Sequence, residues 1–207
     1  MGSGKGKNRR ANLTLRLRPA SVSTADLASM TENNPYADGI SALARFAVAN
    51  GIAVKHVDGL TLAGKPIDGV FNRATRTIKL DKGLTSNDLL HTLSHELAHA
   101  LTSFKKQLRQ SIRSGRKSGL QEGGEKFAAK AELIADSAAM RVLRELQVDD
   151  DELYATSQQI YLRNLARLSE LHVKGKSSPE EFLADTSYIT QEADRVEELL
   201  LTALRNA

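Results

Sequence analysis

The chain contains no cysteine and no tryptophan, few other aromatic residues and no long hydrophobic run. Without cysteine it can form neither a disulfide framework nor a thiolate zinc site, so any bound metal must be held by His, Asp or Glu. Aromatic residues make up only 4% of the chain, which argues against a surface that stacks unpaired nucleic-acid bases. No apolar segment is long enough for a membrane span or for the core of a signal peptide. We therefore expect a cytoplasmic protein with no membrane partner.

Length and charge suggest one domain preceded by a basic tail. A chain of 207 residues with 41% apolar content can bury one substantial core. The net charge is +4, and the basic residues are unevenly distributed. Two segments, residues 1–25 and Lys105 to Lys117, each carry six basic residues and no acidic residue. We expect residues 1–20 to form a basic tail without regular structure and residues 21–207 to form a single domain. Both basic segments could contact nucleic acid, or could simply keep the protein soluble.

The spacing of apolar residues predicts strands first and helices afterwards. A short strand is expected over 52–57, then turns around Leu60 and Leu62, then a hairpin from Val70 and Phe71 to the strand Thr77–Leu80. From Lys105 to Gly124 we expect a partly helical, mobile connector in which glycines at 115, 119, 123 and 124 break regular elements. Helices are expected over residues 38–50, from residue 86 with Thr85 or Ser86 as cap, and over 127–147, 152–172 and 179–205, the last capped by Ser178 with Pro179 at its first position. The predicted fold class is α+β, with a small N-terminal sheet and a helical C-terminal half.

The segment from His95 to His99 reads HELAH and matches the pattern HExxH inside an apolar, helix-like stretch. Two histidines four residues apart lie on one side of a helix, so both imidazoles can bind the same metal ion. Glu96 would then sit beside the metal and could act as the general base when water attacks a peptide carbonyl. The pattern predicts a metal-dependent peptidase. His91 lies one turn earlier on the same face and could contact the cleft, or could be an ordinary packed residue.

A catalytic zinc usually has three protein ligands, so a third ligand is needed downstream of His99. Glu132 is favoured because it lies in a helical segment four residues before Asp136, which puts both carboxylates on one helix face. Glu132 could bind the metal while Asp136 accepts the ring N–H of a ligand histidine. The alternative for Glu132 is an exposed helical glutamate that pairs with Lys130 or a nearby arginine. The alternative for Asp136 is a carboxylate that satisfies a buried backbone group or Arg141. The candidates are Glu122, Glu125, Glu132, Asp136 and His172, with Glu125 as the main competitor of Glu132.

The order of strand hairpin, HExxH helix, connector and a helix bearing ExxxD resembles the gluzincin class of metallopeptidases. Within that class, the chain is most similar to small intracellular proteins of the ImmA/IrrE type and to the metallopeptidase domain of ArdC-type antirestriction proteins. The resemblance covers roughly residues 38–148 and, more weakly, 182–200. It implies a zincin-like fold in which Thr77–Leu80 is the edge strand that pairs with an extended substrate.

The resemblance also implies the metal and its ligands: one Zn²⁺, or another divalent ion, held by His95, His99 and Glu132, with Glu96 as general base. Small intracellular relatives tend to act on one protein target, often a DNA-bound regulator or a protein met on entering a host cell. The implied substrate is therefore a protein, which could be a DNA-associated one, and the implied origin is a mobile element or phage. The chain departs from the pattern in three respects: Asp136 stands where many ImmA/IrrE-type proteins have Asn, the connector is unusually basic, and no helix-turn-helix or single-strand-binding domain is recognisable.

Two further questions stay open at the level of sequence. The residue that stabilises the tetrahedral oxyanion could be His172, Tyr154, Tyr161 or Tyr188. A nucleic-acid-binding or antirestriction protein that uses the metal fold only as a scaffold is the alternative function, motivated by the two basic segments. A third possibility, an inactive interaction module, is disfavoured because Glu96 is present.

Overall fold

A computed structural model describes residues 20–102, 119–175 and 177–206, and the side chains of all of these except 119–123. Within them lie six helices and two small sheets, so the chain is α+β and mostly helical, as predicted. None of these helices combines the length and the apolar character that crossing a membrane requires. The helices are α1 (Thr24–Thr31), α2 (Ala37–Ala49), α3 (Ser86–Leu101), α4 (Gly119–Glu145), α5 (Asp151–Lys174) and α6 (Pro179–Arg205); the strands are β1 (Ala53–Val57), β2 (Thr61–Leu62), β3 (Lys65–Pro66), β4 (Gly69–Asn72) and β5 (Thr77–Asp81).

The main sheet has three strands in the order β1, β5, β4. The predicted hairpin of β4 and β5 is confirmed, with Phe71 opposite Ile78 in antiparallel register. The prediction that Thr77–Leu80 forms the edge is wrong, because β1 pairs in parallel on the other side of β5 and places Val54 opposite Ile78. Parallel pairing joins strands that are distant in sequence, so the local hairpin signal did not reveal it. In the hairpin, β5 is therefore the central strand of the sheet and β4 is the edge strand.

A second, two-stranded sheet forms where turns were predicted around Leu60 and Leu62. Strands β2 and β3 pair antiparallel, and the turn between them has positive φ angles of 50° at Ala63 and 79° at Gly64. Positive φ at both central residues is typical of the tight two-residue turn that suits the twist of a hairpin. This hairpin leads directly into the segment before β4.

Helix α3 carries the HExxH segment and lies between the main sheet and α4. It begins as predicted, with the Thr85 side chain accepting a hydrogen bond from the Asp88 N–H. Leu90, Leu93 and Leu97 are fully buried, because leucines three and four residues apart share one helix face. The side of α3 that carries the histidines is thereby held at the border of the core.

The C-terminal half is helical, as predicted, and α6 begins at Pro179 with a capping box between Ser178 and Glu181. Helix α4 begins at Gly119, well before residue 127, so the prediction that Gly119, Gly123 and Gly124 interrupt regular structure is wrong. A glycine inside a helix costs about 1 kcal/mol relative to alanine, which is small beside the packing of α4 on α3, α5 and α6. Helix α1, capped by Ser23, has too weak an apolar pattern to have been predicted. The basic connector Lys105–Lys117 and the basic tail before residue 20 lie outside the described residues.

Gly69 allows β4 to approach α3 closely. A Cβ atom at this position would lie 2.5 Å from Cγ2 of Thr92 and 3.2 Å from Cγ of Glu96. Gly69→Ala is therefore expected to push β4 away from α3 and to lower the free energy of unfolding by about 1–3 kcal/mol, measured by chemical denaturation. Gly124→Ala is the matched control, because a Cβ there meets nothing within 4 Å and alanine favours a helix. Unchanged stability of Gly69→Ala would contradict the close approach of β4.

Candidate metal centre

Three side chains from two helices, His95 and His99 of α3 and Glu132 of α4, converge where these helices pack together. Nε2 of His95 and Nε2 of His99 are 3.0 Å apart. The Glu132 carboxylate faces both, with Oε2 3.4 Å from Nε2 of His95 and Oε1 3.4 Å from Nε2 of His99. Among the described residues, these three form the only group of His, Asp or Glu side chains whose ligand atoms all lie within 4.8 Å of one another. The structure thus brings together the three residues that the sequence singled out as metal ligands.

The two helices supply these side chains in a regular way. The four-residue spacing of His95 and His99 places their rings next to each other on one side of α3, edge to face, with ring centroids 4.6 Å apart. On α4, Leu133 and Ile134 next to Glu132 are fully buried, so the helix is fixed against the core while the Glu132 side chain stays 41% exposed. The three side chains lie at the edge of the core, where solvent can reach them.

The distances fit a single tetrahedral metal ion. Ligand atoms about 2.0–2.1 Å from a tetrahedral ion lie about 3.3–3.4 Å from one another, close to the 3.0, 3.4 and 3.4 Å found here. Two imidazole nitrogens and one carboxylate are also the donor set of catalytic zinc sites that keep a fourth position open. The three residues therefore fit a divalent ion such as Zn²⁺ by both geometry and donor chemistry.

Without a metal, the same cluster binds a proton. Burial would lower the pKa of His95, but its contacts with Asp136 and Glu132 outweigh burial and raise the pKa to about 10. Burial alone would raise the pKa of Glu132, whereas its contacts with His95 and His99 hold that pKa far below its ordinary value. At neutral pH the cluster thus pairs a protonated His95 with an ionised Glu132.

Metal binding is consequently expected to release about one proton per ion at pH 7.5, because His95 must be neutral to bind a metal. Since the pKa of His95 in the folded protein is raised to about 10, metal affinity should increase about tenfold per pH unit as the pH rises towards 10, where it levels off. Titration calorimetry with Zn²⁺ in buffers of different ionisation enthalpy measures the proton directly. A heat of binding that does not depend on the buffer would contradict the raised pKa.

Asp136 lies behind His95, where its spacing from Glu132 predicted it. Asp136 is only 3% exposed, and its Oδ1 lies 3.1 Å from Nδ1 of His95. The ring N–H is not well aligned with this oxygen, so Nδ1 has a close neighbour but no well-formed hydrogen bond. A hydrogen bond from Nδ1 to Asp136 would keep the proton on Nδ1 and leave Nε2 available to a metal.

Two cavities, of about 280 and 410 Å³, meet at the triad, and Glu96 lines both. Burial raises the pKa of Glu96, although His99 and His95 oppose the shift. A carboxylate with a raised pKa beside an open cavity is suited to take up and return a proton. The smaller cavity is lined by Gly69, Val70, Phe71, Arg73, His95, Glu96, His99 and Glu132, and the larger by Pro66, Ile67, Asp68, Gly69, His91, Thr92, His95, Glu96, Glu132, Asp136 and Ile160.

His91 lines the larger cavity, with its Nε2 3.2 Å from Oγ of Ser157. Burial, reinforced by the charge of His95, lowers the pKa of His91 to about 4. The ring is therefore neutral at physiological pH. It is a polar wall of the cleft and does not belong to the triad of ligand atoms.

The other candidate ligands and oxyanion stabilisers are placed elsewhere. Glu125 is exposed near the start of α4 and does not join the triad, while the side chain of Glu122 lies outside the described residues. His172 pairs with Asp185 on α6, with Nε2 2.9 Å from Oδ2. Tyr154 and Tyr161 line a separate cavity of about 860 Å³ between α4 and α5, and Tyr188 packs against the core. None of these described side chains lines either cavity of the triad.

Helix α5 contributes three residues that were not singled out from the sequence. Ser157 contacts His91, Ile160 lines the larger cavity, and Asn164 donates a hydrogen bond to Asp136. Their spacing places all three on one face of α5. That spacing was visible in the sequence, but nothing in it shows that this face meets α3 and α4.

No family model, no curated protein and no solved structure matches this chain. The assignment of a metal site to His95, His99 and Glu132 therefore depends on the geometry of these side chains.

Proposed function

We propose that this chain is a metal-dependent peptidase of the gluzincin type with a zincin-like fold. The observation that carries the proposal is the convergence of His95, His99 and Glu132 at distances that suit one ion, with Glu96 beside them. A histidine pair from one helix and a carboxylate from the next correspond to the HExxH and ExxxD pattern. The small sheet beside the HExxH helix supports the zincin-like assignment.

The bound ion would polarise the scissile carbonyl and lower the pKa of water at its open position towards about 7. Glu96 removes a proton from the attacking water and transfers it to the amine nitrogen as the C–N bond breaks, so that one peptide and one water give a carboxylate and an amine. Asp136 holds His95 with its Nε2 directed at Glu132 and His99. Both Glu96 and Asp136 lie next to the three candidate ligands.

The edge strand β4 is the proposed binding element for the substrate. Its residues Gly69, Val70 and Phe71 line the smaller cavity beside Glu96. An extended peptide can add to such an edge through main-chain hydrogen bonds, with its side chains entering the adjoining cavities. This takes the role that the sequence had assigned to Thr77–Leu80. The substrate class is therefore a protein segment that is unfolded or can become extended.

A DNA-associated target, and the alternative of nucleic-acid binding on a metallopeptidase scaffold, depend on the tail 1–20 and the connector Lys105–Lys117. Almost all of the tail and all of the connector lie outside the described residues. The DNA-associated target and the nucleic-acid-binding alternative therefore stay predictions from sequence. The proposal of peptide hydrolysis is supported by the described residues, which bring together a triad that could hold a metal, an adjacent carboxylate and a cleft.

The proposal is tested by measuring metal and cleavage in the same preparation. Purified protein is analysed for metal content, loaded with Zn²⁺ and incubated with unfolded casein and with a cell lysate, and new N-termini are identified by mass spectrometry. We expect new N-termini with the loaded protein, their loss on chelation and their return when Zn²⁺ is restored. The His99→Ala variant, purified in the same way, controls for contaminating proteases. Failure to produce new N-termini, or equal products from His99→Ala, would contradict the proposal.

A further inference from the structure

One face of α5 closes the outer side of the metal centre. Ser157, Ile160 and Asn164 are three and four residues apart and point to the same side of the helix. Through them α5 contacts His91, the larger cavity and Asp136. Helix α5 therefore reaches a candidate ligand through one intermediate residue, although it carries none of the ligands.

The contact of Asn164 is the one that leads to the ligand. Its Nδ2 donates a hydrogen bond to Oδ2 of Asp136 at 3.2 Å, while Oδ1 of Asp136 lies 3.1 Å from Nδ1 of His95. Because Asp136 is only 3% exposed, the loss of a partner leaves its carboxylate poorly solvated, which is costly for a buried charge. With one oxygen held by Asn164, the carboxylate cannot rotate freely, and its other oxygen stays behind the His95 ring.

We propose that Asn164 is a positioning residue of the metal centre, which fixes the Asp136 carboxylate and through it the orientation and tautomer of His95. The inference rests on the metal site of the proposed function but does not depend on peptide hydrolysis. Groups that hold a ligand histidine from outside typically change metal affinity by about 10–100-fold when they are removed. Asn164 acts one contact further out, so an effect near the lower end of this range is expected.

The test compares metal binding by full-length wild type, Asn164→Ala, Asn164→Asp and the control Gln159→Ala. Gln159 is an exposed amide on the same helix. The Zn²⁺ dissociation constant is measured by competition with a chromophoric chelator, and the visible absorption of the Co²⁺-loaded protein reports the ligand geometry. We expect affinity to fall by about tenfold in Asn164→Ala, with an altered Co²⁺ spectrum, and to stay within about twofold of wild type in Gln159→Ala. Thermal unfolding of the metal-free proteins separates this effect from damage to the fold.

Asn164→Asp keeps the size of the side chain and serves where Asn164→Ala does not fold. It places a second carboxylate against Asp136, so we expect a loss of affinity at least as large as that of alanine. Adding Asp136→Asn to this variant restores a donor–acceptor pair, with the donor now at position 136, because the new amide can donate to position 164 and accept from His95. Partial recovery in the double variant would show direct coupling of the two positions.

The possible results distinguish this inference from the proposed function. Wild-type affinity and an unchanged Co²⁺ spectrum in both single variants would overturn the role of Asn164 while leaving the metal centre intact. A wild-type protein that binds neither Zn²⁺ nor Co²⁺ would overturn the metal centre itself, and this inference with it. A loss of affinity in Asn164→Asp that Asp136→Asn does not relieve at all would overturn the coupling through Asp136.

Discussion

Replacing Glu96 with glutamine is expected to lower peptide cleavage by about 10²–10⁴-fold while leaving metal content unchanged. Glutamine is nearly the same size as glutamate, so the walls of both cavities keep their shape, but its amide cannot take up a proton. Glu96 does not belong to the triad of ligand atoms, and its loss should not release the ion. Initial rates of cleavage, measured with equal amounts of loaded protein, give the size of the effect.

Glu125→Gln provides the matched control, because this glutamate is exposed on α4 and does not belong to the triad. It should retain both metal and wild-type rates. Cleavage by Glu96→Gln at the wild-type rate would remove the general base from the proposed mechanism. A Glu96→Gln protein that has lost its metal would instead show that this carboxylate supports the ligand set.

Removing any one ligand is expected to abolish stoichiometric metal binding. His95→Ala, His99→Ala and Glu132→Ala each leave only two of the three side chains that converge between α3 and α4. We expect Zn²⁺ affinity to fall by more than about 100-fold in each variant, beyond the effect of losing an outer partner. Elemental analysis after gel filtration and competition with a chelator measure the loss.

Glu132→Ala is the most informative of the three variants, because the sequence left Glu125 as an alternative third ligand. In the structure Glu132 contacts both histidines, whereas Glu125 is exposed near the start of α4. Glu125→Ala should therefore keep its metal. Normal metal binding by Glu132→Ala would show that Glu132 is not the third ligand. Loss of metal from Glu125→Ala would assign that role to Glu125.

What the sequence predicts well is local in origin. His95, Glu96 and His99 lie within one helical turn and a half, and Glu132 and Asp136 share a face of α4, so their relations follow from helix geometry. The start of α3 at Thr85 and of α6 at Ser178 follows from capping residues next to each helix. None of these features requires knowledge of how distant segments pack.

What the sequence does not predict arises from packing between distant segments. Because β1 pairs in parallel with β5, Thr77–Leu80 lies in the middle of the sheet and β4 forms the edge. The hydrogen bond from Asn164 to Asp136 joins two helices whose apolar patterns do not specify which faces meet. The glycines at the start of α4 lower helix propensity, but they did not prevent a helix from forming there.

The placement of the ligands on two helices has a consequence for the stability of the whole chain. A metal held by His95, His99 and Glu132 would cross-link α3 to α4. Because unfolding would separate the ligands, Zn²⁺ at 100 times its dissociation constant would add about 2.7 kcal/mol to the free energy of unfolding. A backbone cut between residues 103 and 118 would place the ligands on two separate chains, so the affinity for metal would then depend on how firmly α4 remains packed against α3.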